Sequence, residues 1–119
     1  LAVRILKVPC VLLALLAAWV GMALPALSAE LVMYRRAGCP YCQAWDREIG
    51  PIYPKTDIGK SLPLRQVHLD RGKDGSVELK SPIRYTPTFV LVEDGKEKAR
   101  IEGYPGEFFF WGVLEKLLL

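Results

Sequence analysis

Cys39 and Cys42 are separated by Pro40 and Tyr41, and they stand between a short apolar run, Leu31 to Tyr34, and a segment of helical periodicity. Two thiols at this spacing can form a disulfide and exchange it with another. With a helix beginning at Pro40, Cys39 sits at the helix N-terminus. Unpaired N–H groups and the positive end of the helix dipole stabilise a thiolate there. Pro40 suits the first turn, which needs no donor from it and has the φ that its ring imposes. Cys42 opens an apolar stripe that continues through Trp45, Ile49 and Ile52, with Gln43, Asp46 and Arg47 pointing away. The chemistry divides accordingly: Cys39 attacks a substrate disulfide, and buried Cys42 attacks the resulting mixed disulfide to release the product. Tyr41 offers an apolar rim for substrate, while Trp45 packs.

Other uses of two cysteines fit less well. A permanent Cys39–Cys42 bridge is feasible but closes too small a loop to remove much unfolded-state entropy. Zinc needs two more ligands. The remaining cysteine, Cys10, lies in an N-terminal apolar run, and the chain has one histidine. A binding module of another class, a copper carrier using Cys39 and Cys42 as thiolates with Met33 nearby, is an alternative. Met33 lies in an apolar strand and is better explained as core. No metal and no cofactor is therefore expected.

The elements that must position the thiols follow from pattern. Leu31 to Tyr34 reads as a buried strand. The helix after the motif should kink or end near Gly50, because Pro51 lacks a backbone donor. Thr56 to Leu62 reads as a further helical turn. Val67 and Leu69, alternating with Gln66, His68 and Asp70, predict a second strand, which stops at a solvated loop from Arg71 to Ser76. Thr88 to Val92 predicts a third strand, Asp94-Gly95 a hairpin turn, and Ala99 to Glu102 the returning strand. Residues 103–106 break the chain before a helix from Phe108 to Leu118. The order is β-α-β, then β-β-α.

At 119 residues there is room for one domain. Arg4 and Lys7 precede an apolar stretch from Val8 to Leu27, and Ala26 to Ala29 offers a cleavage site, so residues 1–29 read as a secretory signal, with a membrane anchor as the rival. Residues 30–119 form the domain. Past residue 29 the chain carries 14 basic against 13 acidic residues, too even a balance to build a nucleic-acid face. Export points to the periplasm, where thiols oxidise unless something keeps them reduced.

The order strand, Cys-x-x-Cys, helix resembles the thioredoxin fold family, as does Thr86-Pro87-Thr88 ahead of a strand. The resemblance implies an α/β thioredoxin-like fold: a central mixed four-stranded sheet flanked by helices, β-α-β-β-β-α. It also implies that Pro87 is cis and that the Thr86 backbone pairs with an extended substrate segment. Gly38 to Cys42, Ile49 to Pro54, Thr86 to Phe89 and Ile101 to Gly106 are similar to the periplasmic thioredoxins encoded with bacterial sulfur-oxidation (Sox) systems. That similarity implies a protein-disulfide reductase acting on a disulfide or persulfide of a Sox sulfur-carrier complex and recharged by a membrane electron donor. The same thiols can also run as an oxidase or isomerase. Two departures from cytosolic thioredoxins stand out: Met33 occupies the position of their buried Asp, and Tyr41 replaces their Gly.

Arg35 and Arg36 precede the motif and read as solvated strand-end charges, although they could lower the Cys39 pKa. His68 reads as a surface or second-face strand residue and is not assigned a role. Phe108, Phe109, Phe110 and Trp111 cannot all face inward. Most should be core, with one or two left to dock a partner.

Overall fold

The computed structural model describes residues 29–119, so the predicted leader lies outside the described residues. Four strands form one mixed sheet in the order β2-β1-β3-β4. Central strand β1 (Ala29–Arg35) is parallel to β2 (Leu64–His68) and antiparallel to β3 (Thr88–Glu93), which pairs in turn with β4 (Lys96–Glu102). Leu31 to Tyr34 are all buried because β1 serves two cores. Leu31 and Met33 join one apolar cluster, and Val32 and Tyr34 join another, as the twofold period of a strand requires.

Helices cover the first face. Helix α1 (Pro40–Glu48) contributes Cys42 and Trp45, short helix α2 (Asp57–Ser61) contributes Ile58, and α3 (Glu107–Leu117) contributes Phe110 and Leu114. Trp45, Phe89 and Phe110 form the centre of this layer, with ring centroids 5.5 Å apart for Trp45 and Phe89 and 4.9 Å for Phe89 and Phe110. The second face is covered by the irregular segment 69–87, which lays Leu69, Val77, Leu79 and Ile83 onto Val32, Tyr34, Val67, Val90 and Val92.

Three expectations are corrected in detail. The apolar spacing predicts that the stripe of α1 reaches Ile52, but the helix stops at Glu48 with Ile49 as its C-cap, so Ile52 is exposed and Tyr53 is buried in its place. A single turn of 3₁₀ helix, Tyr53–Lys55, turns that ring inward, and its hydroxyl donates to the Leu62 carbonyl at 2.7 Å. The second strand runs from Leu64 to His68 rather than from Gln66 to Asp70. Its partner β1 ends at Arg35, opposite His68, so residues from Leu69 onward have no ladder to join and form a 3₁₀ turn. The returning strand starts at Lys96, directly after the Asp94-Gly95 turn, whose φ values of 52° and 77° match a tight hairpin.

Candidate active site

Cys39 and Cys42 are joined by a disulfide, with their Cα atoms 5.2 Å apart. Cys39 is the N-cap of α1, in an extended conformation that ends the loop, and its Sγ accepts the Cys42 N–H at 3.1 Å. The sulfur thus occupies the place a capping oxygen usually takes, next to the unpaired amides of the first turn. Negative charge formed on Cys39 after reduction is therefore stabilised where it arises. The two residues differ in access: Cys39 is 8% exposed and Cys42 is 0% exposed.

Two further segments converge on this end of the sheet. The Thr86–Pro87 peptide bond is cis, and the Thr86 carbonyl oxygen lies 3.4 Å from Cys39 Sγ. Thr88 Oγ1 donates to the Tyr85 carbonyl at 2.7 Å, closing the turn around that bond. The Gly103 N–H donates to the Pro87 carbonyl at 2.7 Å, which fastens the end of β4 to the same loop. Gly103 does so with φ at 83°, a conformation that glycine adopts without steric cost. Tyr104 follows, buried, and its hydroxyl donates to Glu48 at 2.9 Å, which ties this third segment to the last turn of α1. Burial, reinforced by that acidic partner, pushes the Tyr104 phenol up from its ordinary value. Tyr85, Glu102 and Tyr104 carry no chemical motif of their own. In the sequence this region is marked by the chain break at Gly103 to Gly106 and by the family resemblance of Thr86 to Phe89 and Ile101 to Gly106.

Other candidates fall elsewhere. Arg35 is not a solvated charge: its guanidinium makes a two-pronged pair with Asp46 at 2.6 and 2.7 Å and donates to Gln66 at 3.0 Å. The hydrogen bond to Asp46 raises the Arg35 pKa further, and the pair locks α1 against β1 and β2. Asp46 does not point to solvent, because the polar flank of α1 faces the sheet end where Arg35 stands. Arg36 is exposed, as expected of a strand-end charge. His68 ends β2 opposite Arg35. Met33 is fully buried in the cluster that also holds both cysteines. Of the four consecutive aromatics, Phe110 is core and Trp111 stacks on Tyr53, with centroids 5.9 Å apart and planes 9° apart, whereas Phe108 and Phe109 face solvent.

A Cys-Pro-Tyr-Cys disulfide at the start of α1, held against Thr86-Pro87 on a mixed four-stranded sheet, defines a thiol–disulfide oxidoreductase of the thioredoxin type. The chain belongs to the thioredoxin-like domain family, whose sequence profile matches residues 28–118. Among solved structures it is similar to the periplasmic thioredoxin SoxS from Paracoccus pantotrophus in its reduced form. The two are 43% identical with a TM-score of 0.72, over 76% of this chain and 95% of that one. It shares the fold of thioredoxin-2, a component of malaria parasite protein secretion machinery, at 17% identity and a TM-score of 0.55, over 76% of this chain and 84% of that one.

Proposed function

We propose that this protein is a periplasmic reductase that keeps a cysteine of a sulfur-oxidation partner protein in its reduced form. The difference in access between the two sulfurs carries the mechanism. In the dithiol form, the Cys39 thiolate attacks one sulfur of the substrate disulfide. A mixed disulfide forms, and the other substrate sulfur leaves as a thiolate. Cys42 then attacks Cys39 Sγ, the Cys39–Cys42 bond closes, and the second substrate sulfur departs as a thiolate. Two electrons pass from the protein to its substrate. A persulfide follows the same course, with hydrosulfide as the second product. Pro40 presets the first turn of α1 and Tyr41 forms part of the rim. Thr86 and Pro87 provide the edge along which an extended substrate segment pairs with the backbone.

Direction is the finer part of the reading. A stabilised Cys39 thiolate favours the reduced form and would by itself suit an oxidant. The likeness to SoxS supports the opposite direction, with a membrane dithiol donor returning two electrons after each cycle. Residues 1–29 act as the export signal, and residues 30–119 are the working domain.

Acid quench and thiol alkylation of cells tests both parts. Wild-type protein should be mostly dithiol and turn to disulfide when the membrane donor is deleted. Cys42→Ser should accumulate covalently linked to its partner through Cys39, and Cys39→Ser should not. A wild-type pair that is oxidised in both strains overturns the reductase, and equal trapping by Cys39→Ser overturns the assignment of roles.

A further inference from the structure

Two hollows of 330 and 280 Å³ open beside the disulfide and share Tyr41, Glu102 and Gly103 as a common wall. Tyr85 and Thr86 complete the first, and Tyr104 and Pro105 the second. Glu102 is the one charged residue lining either. Tyr41 and Tyr85 are 63% and 59% exposed, unusual for aromatic rings with packing available nearby.

Glu102 keeps room for a ligand because Arg100, the one cation it pairs with among the described residues, directs its short hydrogen bonds to Glu97, leaving two carboxylates to a single guanidinium. Arg100 holds Glu97 through two hydrogen bonds of 2.7 Å and donates to the carbonyls of Ser81 at 2.8 Å and Pro82 at 3.3 Å. Its ion pair with Glu102 is longer, 3.6 Å, and the Glu102 side chain stays 44% exposed. A carboxylate flanked by two exposed phenol rings is the chemistry that receives an ammonium or guanidinium group, by charge pairing and by attraction to the ring faces.

We infer that Tyr41, Tyr85 and Glu102 form a cation-binding subsite that selects substrates carrying Lys or Arg beside the cysteine to be reduced. The inference rests on the reductase reading and names its substrate class. Thr86 belongs to the first hollow, and its carbonyl lies 3.4 Å from Cys39 Sγ. At about 3.3 Å per extended residue, a side chain one or two positions from the substrate cysteine reaches the subsite while that cysteine meets Cys39.

The test uses three synthetic peptides bearing the same mixed disulfide and differing only in Lys, Gln or Glu two positions from the cysteine. Pre-reduced protein is mixed with each at low salt, and the rate of intrinsic tryptophan fluorescence change on disulfide formation is recorded. The Lys peptide should react about fivefold faster than the Gln peptide, and the Glu peptide slower than both. Glu102→Gln should bring the Lys-to-Glu ratio close to one, and 0.5 M salt should narrow it in the wild type. Equal rates for all three peptides, a preference for Glu, or an unchanged ratio in Glu102→Gln overturns the subsite while leaving the reductase intact. Failure to reduce any of the three overturns the reductase reading itself.

Discussion

The two faces of the sheet are held by different physics. On the catalytic face, helices α1 and α3 bring Trp45, Phe110 and Leu114, and the turn after α1 brings Tyr53, onto Leu31, Met33, Phe89 and the cysteines, and the cohesion is hydrophobic burial and aromatic packing. On the opposite face a largely irregular chain segment lies over a smaller, mostly aliphatic patch. Polar anchors hold it there. Glu97 receives Arg100 and the Lys80 N–H at 2.9 Å, and Arg100 in turn holds the Ser81 and Pro82 carbonyls. Arg65 likewise joins Glu30 at 2.9 Å and Asp74 at 3.6 Å. The rigid side carries the chemistry. The pinned segment ends at Tyr85, Thr86 and Pro87, so the ion pairs on the far face also help place the loop that meets Cys39.

The largest disruption should come from the catalytic face. Phe110→Ala removes the ring that touches Trp45, Phe89, Tyr104 and Trp111 and should cost about 4 kcal/mol in urea unfolding. A loss below about 1 kcal/mol would mean that the aromatic layer does not hold this face together.

The far face should respond next. Glu97→Ala leaves Arg100 partly buried without its carboxylate and should cost about 3 kcal/mol. It should also speed proteolysis between residues 72 and 85. The same carboxylate makes the far face sensitive to acid. Hydrogen bonding from Arg100 holds Glu97 below its ordinary value of 4.5, and the Ser76 hydroxyl does the same for Asp74. A depressed carboxylate stabilises the fold above its unfolded value, and that contribution is lost as pH falls through the lower folded value. Stability should therefore decline as pH is taken below about 4.5, and more shallowly in Glu97→Ala. Matching urea midpoints at pH 7 and pH 3.5 for both proteins, each against its own baseline, would exclude this account.

The smallest effect belongs two residues from Phe110. Phe108 is 97% exposed, so Phe108→Ser should change stability by no more than about 0.5 kcal/mol. A larger loss measured by the same urea titration would show that Phe108 packs in solution.

What lay within a few residues was legible in the sequence. Cys39 at the mouth of α1, Cys42 on its buried side, the doubly buried run Leu31 to Tyr34 and the Asp94-Gly95 turn are all set by local periodicity, capping and turn chemistry, which depend only on near neighbours. Tertiary structure decided the remainder. Thr86 meets Cys39 across 47 residues of chain, and Asp46 meets Arg35 only once α1 has settled on the sheet. The place of Glu97 shows the reason most clearly. Three positions apart on one strand, Glu97 and Arg100 should face opposite sides of the sheet. The register slips between Leu91 and Val92, so that Ala99 faces Leu91 while Glu97 faces Val92, and the extra residue turns Glu97 onto the face of Arg100. A shift of one residue reverses every side chain beyond it, and only the packing of both faces together determines where that shift occurs.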